Sequence, residues 1–236
     1  MNKILDKMLF EFKNNIRNGV YGYTQKIMAY NSNRIEGNHL SVEHTSSLFD
    51  TQSFVSDDVY RPKDVEEMSG HFLMFNHMLK TVDKPLTEDL IKEFHRCLKE
   101  GVFEDKANGY AIGDYKTREN IIGVYNTAKP NRVHEAMNNL LDTYDTCDKT
   151  LESILALHAA YEIIHPFQDG NGRTGRLIMF RECLVNDVKP FIIHDCNKAR
   201  YISALNNARV TGNVNELVSY AKMEQESYEQ TIKGMI

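Results

Sequence analysis

The sequence predicts an all-α fold, mainly helical, with one small β-hairpin. Apolar residues recur at three- and four-residue spacing through most of the chain. Serine or threonine starts and glycine stops mark several of those stretches. β-Prone residues gather only in the glycine-containing stretch 109–130.

The elements follow in order. Leu5, Met8, Leu9 and Phe12 carry helical spacing near the start. A second helix is expected over Tyr23 to Glu36, with Ile27, Tyr30 and Arg34 along one side and Gly37 placed to close it. Ser41 is positioned to cap a third helix that contains His44 and Leu48. Gln52 to Pro62 reads as a connection, and VEEMSGHFLMFNHMLK returns to helical periodicity. Thr87 caps TEDLIKEFHRCLKEG, where Glu88 and Asp89 suit the positive helix start and Gly101 closes the end. The run Ile121-Ile122-Gly123-Val124-Tyr125 is the expected hairpin. Helices are then expected over Arg132 to Tyr144, from Leu151 straight into His165, through Leu177 to Leu184, over Lys198 to Ala208, and over Asn215 to Gly234.

At 236 residues the chain suffices for one large domain or two small ones, and it divides into an N-terminal helical region (1–60) and a core domain (61–236). With 42% hydrophobic and 26% charged residues the composition is that of a globular protein. The net charge of -5 provides no overall basic field for a nucleic-acid backbone. The N-terminus is amphipathic but charged throughout, unlike a signal peptide, and no apolar run reaches the roughly 18 residues of a membrane span. Cys97, Cys147, Cys183 and Cys196 lack metal or redox spacing and read as reduced thiols, so a cytoplasmic location is expected. The histidines show no ligand pair; His95 and His158 fall on apolar helical faces and are expected in the core. The Lys and Glu residues near 92–106 read as a solvated face.

The chemistry concentrates at 165–176, HPFQDGNGRTGR, which holds three of the chain's 13 glycines. Pro166 disfavours helix at His165. Gly170 and Gly172 permit positive φ and let a ligand approach the backbone. A helix starting near Gly172 or Arg173 then presents unpaired N–H groups and the positive dipole end, an anion site. Arg173 and Arg176 are placed to grip phosphate oxygens. Asp169 would repel phosphate unless Mg²⁺ stood between them. His165, with a pKa near neutrality, suits a general base. These residues point to nucleotidyl or phosphoryl transfer from a magnesium nucleotide; the plain alternative is a helix–turn–helix corner with a core histidine and solvated arginines.

HPFQDGNGRTGR also matches, without departure, the pattern HPFx(D/E)GNGRxxR, so the chain resembles the Fic family. The segment TEDLIKEFHRCLKEG and the region from Gly109 to Gly123 look like the parts that precede this motif in Fic domains. The resemblance implies transfer of AMP from ATP to a Ser, Thr or Tyr hydroxyl of a protein, the chain itself included. It implies that His165 activates the hydroxyl, Asp169 holds Mg²⁺, and Asn171 contacts the α-phosphate with the Gly170 and Gly172 backbone. Arg173 and Arg176 would bind the β- and γ-phosphates, and Phe167 would anchor the loop. Asn120, Ile121, Ile122 and Gly123 would form a flap (about 113–125) that pins a target segment by strand addition. Tyr201 would lie near the adenine, or else be an ordinary tyrosine of an amphipathic helix.

SNRIEGN, Ser32 to Asn38, resembles the family's inhibitory motif (S/T)xxxE(G/N), placed N-terminal to the core as in its class II members. Ser32 and Glu36 share one face of the helix at about 23–37. A carboxylate at a helix C-terminus is disfavoured by about 0.3–1 kcal/mol, so a cation should compensate it, and the resemblance names Arg176. It also implies a second role for such a glutamate, hydrolysis of AMP from modified targets. Relatives transfer phosphate, UMP or phosphocholine; Doc-like kinases carry Lys where this chain has Gly172. A nucleotide-binding regulatory module without turnover would not need His165. Association of copies through the amphipathic first helix stays open.

Overall fold

The computed structural model describes residues 2–57, 59–123 and 125–236. The N-terminal region holds α1 (Lys3–Lys13), α2 (Val20–Ile35) and α3 (Val42–Thr51). Next come α4 (Pro62–Lys80), α5 (Glu88–Lys99) and the short α6 (Phe103–Ala107). Strands β1 (Ile121–Ile122) and β2 (Tyr125–Asn126) form an antiparallel hairpin, with Ile122 opposite Tyr125. Val124, between them in the sequence, lies outside the described residues. Then follow α7 (Val133–Thr146), α8 (Leu151–Ile164), α9 (Asn171–Val185), α10 (Lys198–Thr211) and α11 (Asn215–Ile232). The fold is all-α with a small hairpin. No helix among the described residues is long and apolar enough to cross a membrane.

Helix α9 is the axis of the molecule. Arg173 to Leu184 are buried without interruption, so the helix is enclosed on all sides. Helices α1, α2, α4, α5 and α8 touch it. Phe180 of α9 is fully buried and lies 6.1 Å, ring to ring, from both Phe75 of α4 and Tyr228 of α11. One hydrophobic cluster runs from Met8 in α1 to Ile232 in α11, so the N-terminal region and the rest of the chain share a core.

Caps read from the sequence do their work. Ser41 Oγ accepts from His44 N, and Thr87 Oγ1 accepts from Leu90 N. Helix α2 starts earlier than Tyr23 because its cap comes from elsewhere in the chain. Gly19 offers no side chain, and the buried carboxylate of Glu11, on α1, accepts from Tyr21 N at 2.8 Å. The expected solvated face of Lys and Glu residues at 92–106 is corrected at Lys99. Lys99 and Asp105 are each 1% exposed and paired at 2.6 Å, because α6 folds Asp105 back over the end of α5.

The joint between α4 and α5 depends on Gly70, where a Cβ would run into the backbone carbonyl of Leu98. Glu67 and Lys99, which support the site described next, sit on the two sides of that joint. Gly70→Ala is therefore expected to lower unfolding stability by about 1–3 kcal/mol, measured by urea denaturation. Unchanged stability would mean that the helices part freely there.

Candidate active site

Helix α8 ends at His165, which takes φ 52° and ψ 63°, a left-handed conformation uncommon for a residue other than glycine. Its N–H donates to Tyr161 O at 2.9 Å, closing the helix. Asn171 staples the loop that follows: its Oδ1 accepts from Phe167 N at 2.7 Å and its Nδ2 donates to Phe167 O at 2.8 Å. Phe167 is fully buried and stacks on His95 at 3.8 Å. Gly113 N donates to His95 Nδ1, so Nε2 of the neutral ring carries the proton and donates to Asp169 O at 3.0 Å. Gly170 then turns the chain at φ 81°, against Leu98, Lys99 and His95, and α9 begins. The first N–H groups of α9 lack intrahelical partners and form the positive end of its dipole.

Both motif arginines are buried and held by carboxylates. Arg173 lies 2.6 Å from Glu67 Oε2 and 3.5 Å from Asp169 Oδ1, and it donates to Asn33 Oδ1 at 3.2 Å. Burial opposes its charge, but Glu67 and Asp169 keep it protonated. Arg176 donates to Glu36 Oε1 at 2.7 Å, to Ser32 Oγ at 2.9 Å and to Ser32 O at 3.0 Å. Burial pushes the Glu36 carboxyl up, but Arg176 and Arg173 outweigh it and hold the group below its ordinary value. A Cβ on Gly172 would collide with the Glu36 carboxylate and the Arg176 guanidinium. The carboxylate thus rests against the first turn of α9, where the free N–H groups would receive an anion.

Asp169 is held well below the usual carboxylate range, because Arg173 and Lys99 overcome its desolvation. It is 36% exposed, with Lys99 Nζ at 2.8 Å and Lys63 Nζ at 3.8 Å. Among the described residues no group of three or more His, Cys, Asp or Glu side chains gathers to hold a metal. An ionised, half-open carboxylate fits Mg²⁺ as a single protein ligand, with phosphates and water completing the shell. His165 is 20% exposed; burial first, and then Lys116, depress its pKa to about 4, below the near-neutral value expected from the sequence, so the imidazole is neutral and its basicity reduced.

Other residues singled out in the sequence have different surroundings. The Asn171 side chain is occupied by Phe167, which leaves its backbone N–H to meet an anion. Asn120 Nδ2 donates to Phe167 O at 2.9 Å, so this residue grips the loop, while Ile121 is 68% exposed at the hairpin edge. Ile122 ends β1 opposite Tyr125, and Gly123 follows it at φ 59°. Tyr201 is 1% exposed and its hydroxyl meets His158 Nε2 at 2.7 Å, beneath the site rather than open to it. Sequence reading passed over Glu67, Lys99, Lys63, Asn33 and Lys116. Glu67 is one of two adjacent glutamates in VEEMSGHF, and nothing in that stretch marks which one turns inward.

His71, His95 and His158 pack around the site with pKa values of about 3, depressed chiefly by burial. Unfolded histidine titrates near 6.5. Each group therefore contributes stability that is present above 6.5 and lost as pH falls toward 3. Glu162, raised to about 7 mainly by burial, opposes them in part. Urea denaturation is expected to show a net loss on the order of 3 kcal/mol or more between pH 6.5 and 4; a flat profile would mean that these rings are protonated in the fold.

Residues 85–183 match the profile of the Fic/DOC family. Over 221 residues the chain is 25% identical to protein adenylyltransferase fic-1 of Caenorhabditis elegans, a match covering 90% of this chain and 42% of that protein. It is 27% identical over 184 residues to protein adenylyltransferase Fic of Nematostella vectensis, covering 76% of this chain and 42% of the relative. The chain thus spans less than half the length of these curated relatives. A Fic-domain-containing signalling protein from Bacteroides thetaiotaomicron has the same fold, with a TM-score of 0.76 at 22% identity, covering 98% of this chain and 94% of the other.

Proposed function

We propose that this chain, whose residues 85–183 match the Fic/DOC family profile, is a protein adenylyltransferase that moves AMP from ATP to a protein hydroxyl and is restrained by its own Glu36. The observation that carries this reading is a neutral His165 at the end of α8, one short loop before the N-terminus of α9, with Arg173 and Arg176 in that helix's first turns. The relatives named as protein adenylyltransferases support it.

In this reading the N–H groups of Asn171, Gly172 and Arg173 receive phosphate oxygens. Arg176 and Arg173 steady the rest of the triphosphate. Asp169 would hold Mg²⁺, which neutralises phosphate charge. A Ser, Thr or Tyr hydroxyl, on a partner protein or on a copy of this chain, gives its proton to His165. Its oxygen bonds to the α-phosphorus as the bond to the bridging oxygen breaks, and pyrophosphate leaves. The hairpin edge at Ile121 and Ile122 would pair with the extended segment that carries the hydroxyl.

The restraint follows from charge and space. The Glu36 carboxylate lies against Gly172 and engages Arg176, so a phosphate in the same place would meet like charge and a guanidinium already taken. ATP would then bind with its α-phosphate out of line for attack.

With ATP and Mg²⁺, Glu36→Gly is expected to raise labelling of acceptor protein roughly tenfold or more, the equivalent of about 1.4 kcal/mol. An unchanged rate would remove Glu36 from the regulation. His165→Ala in the Glu36→Gly background is expected to abolish labelling. ATP labelled separately at the α- and γ-phosphates identifies the group moved: α-label on the acceptor is expected, and γ-label there would sink AMP transfer.

A further inference from the structure

Lys116 is a buried lysine of an unusual kind. It is 2% exposed, and each of its hydrogen-bond partners is neutral. Its Nζ donates to Asn120 Oδ1 at 2.6 Å, to Thr127 Oγ1 at 2.7 Å and to Ile164 O at 3.4 Å. Lys99, equally buried, shows the ordinary solution, with Glu67, Asp105 and Asp169 carboxylates within 2.8 Å. A buried ammonium without such a partner is expensive. A methionine or leucine would fill the same space at less cost.

The acceptors lie on both sides of one residue. Ile164 O is a terminal carbonyl of α8, at the negative end of its dipole, and it also accepts from Ala128 N at 3.2 Å. The Lys116 backbone N–H donates to Pro166 O at 2.9 Å. Asn120, fixed by the ammonium through Oδ1, uses Nδ2 to hold Phe167 O at 2.9 Å. Thr127 Oγ1 donates to Asn120 O at 2.9 Å and so closes the base of the hairpin. The carbonyls of residues 164, 166 and 167 are therefore all held by the hairpin segment, and the residue they enclose is His165, in its left-handed conformation.

We propose that Lys116 is a positioning residue for His165: its ammonium latches the hairpin to the main chain on both sides of the base and places a positive charge on that side of the imidazole. Calling His165 the base rests on the adenylyltransferase reading above. The charged groups around His165 set the direction of its shift. Burial, followed by Lys116, depresses His165, while Glu36 of α2 acts the other way and Arg209 of α10 acts with Lys116. Glu162 Oε2, on α8, stands 3.8 Å from His165 Nδ1. Lys116 is itself lowered to about 8 by burial, with Glu119 opposing.

The test uses the full chain without ATP or acceptor, so it stands or falls separately from the labelling experiments. The His165 ring is titrated by NMR, its signal assigned by its loss in His165→Ala, and hydrogen exchange is followed over residues 117–128. Lys116→Met, which keeps the length and loses the charge, is expected to raise the His165 pKa by roughly half a unit or more. It is also expected to speed flap exchange about tenfold, the equivalent of about 1.4 kcal/mol of lost protection. Lys116→Arg should leave the His165 pKa close to that of the unaltered protein. An unchanged His165 pKa in Lys116→Met, or flap exchange as slow as before, overturns the proposal. Should Lys116→Met not fold, the unaltered protein supplies the test. Raising the pH from 7 to 9 discharges Lys116 and should loosen the flap relative to Lys116→Arg, whose charge does not titrate there. Equal flap exchange in those two proteins across that range, after correction for intrinsic base catalysis, likewise overturns it.

Discussion

Two guanidinium groups are buried within one turn of each other at the positive end of a helix, and the surrounding structure is organised by the need to neutralise them. Arg173 and Arg176 are 2% and 4% exposed. Leaving a buried charge without its partner costs about 3–5 kcal/mol, so the fold must bring anions inward. Arg173 draws in Glu67, Glu67 shares its charge with Lys99, and Lys99 draws in Asp105 and Asp169. This chain ties α9 to α4, α5 and α6 and fixes Asp169 at the loop. Arg176 is served differently. Its carboxylate comes from the end of α2 and is 36% exposed, against 7% for Glu67. Of the two arginines, Arg176 therefore has the partner that a competing anion can more readily replace.

The same economy shapes the loop. Asn171 spends both side-chain groups on Phe167, His95 spends both ring nitrogens on Gly113 and Asp169, and the hairpin takes up the carbonyls around His165. What remains unspent is what an anion and a hydroxyl would need: backbone N–H groups at the start of α9 and a neutral imidazole at the end of α8. Rigid support beneath and free donors above make a preorganised site, with little left to order when a ligand arrives.

Much of this was legible in the sequence because its causes are local. Helical spacing, Ser41 and Thr87 as caps, and the hairpin near Ile121 are each set by neighbours in the chain. The loop at 165–176 carries its turn in Pro166 and Gly170. The spacing of Ser32 and Glu36 placed both on one face, and both meet Arg176. What escaped depends on contacts between distant segments. Lys99 and Asp105 sit in a charged run that reads as solvated, yet the first is needed by Asp169, 70 residues on. Asn171 carried a motif identity, but its bonds to Phe167 follow from the loop's curvature. Lys116 lay in an irregular stretch where a lone lysine has no period or cap to mark it.

The anchoring of α2 decides how a restraint by Glu36 could work. Met28, Ala29 and Ile35 are part of the core, so lifting the helix would expose several apolar side chains at roughly 1.5–3 kcal/mol for each large one. Polar ties hold it as well. Asn31 accepts from Asp195 N, Asn33 accepts from Arg173, and Ile35 O accepts from Lys198 Nζ at 2.6 Å. Ser32 alone keeps two bonds to Arg176 after the Glu36 carboxylate is removed. Displacing the helix is thus far costlier than turning one side chain. Glu36 stands at the C-cap, followed by Gly37 at φ 86°, where the chain leaves the helix and a side chain can swing without unwinding a turn. A restraint by Glu36 would therefore act through a single carboxylate exchanging places with phosphate, on a helix that stays docked.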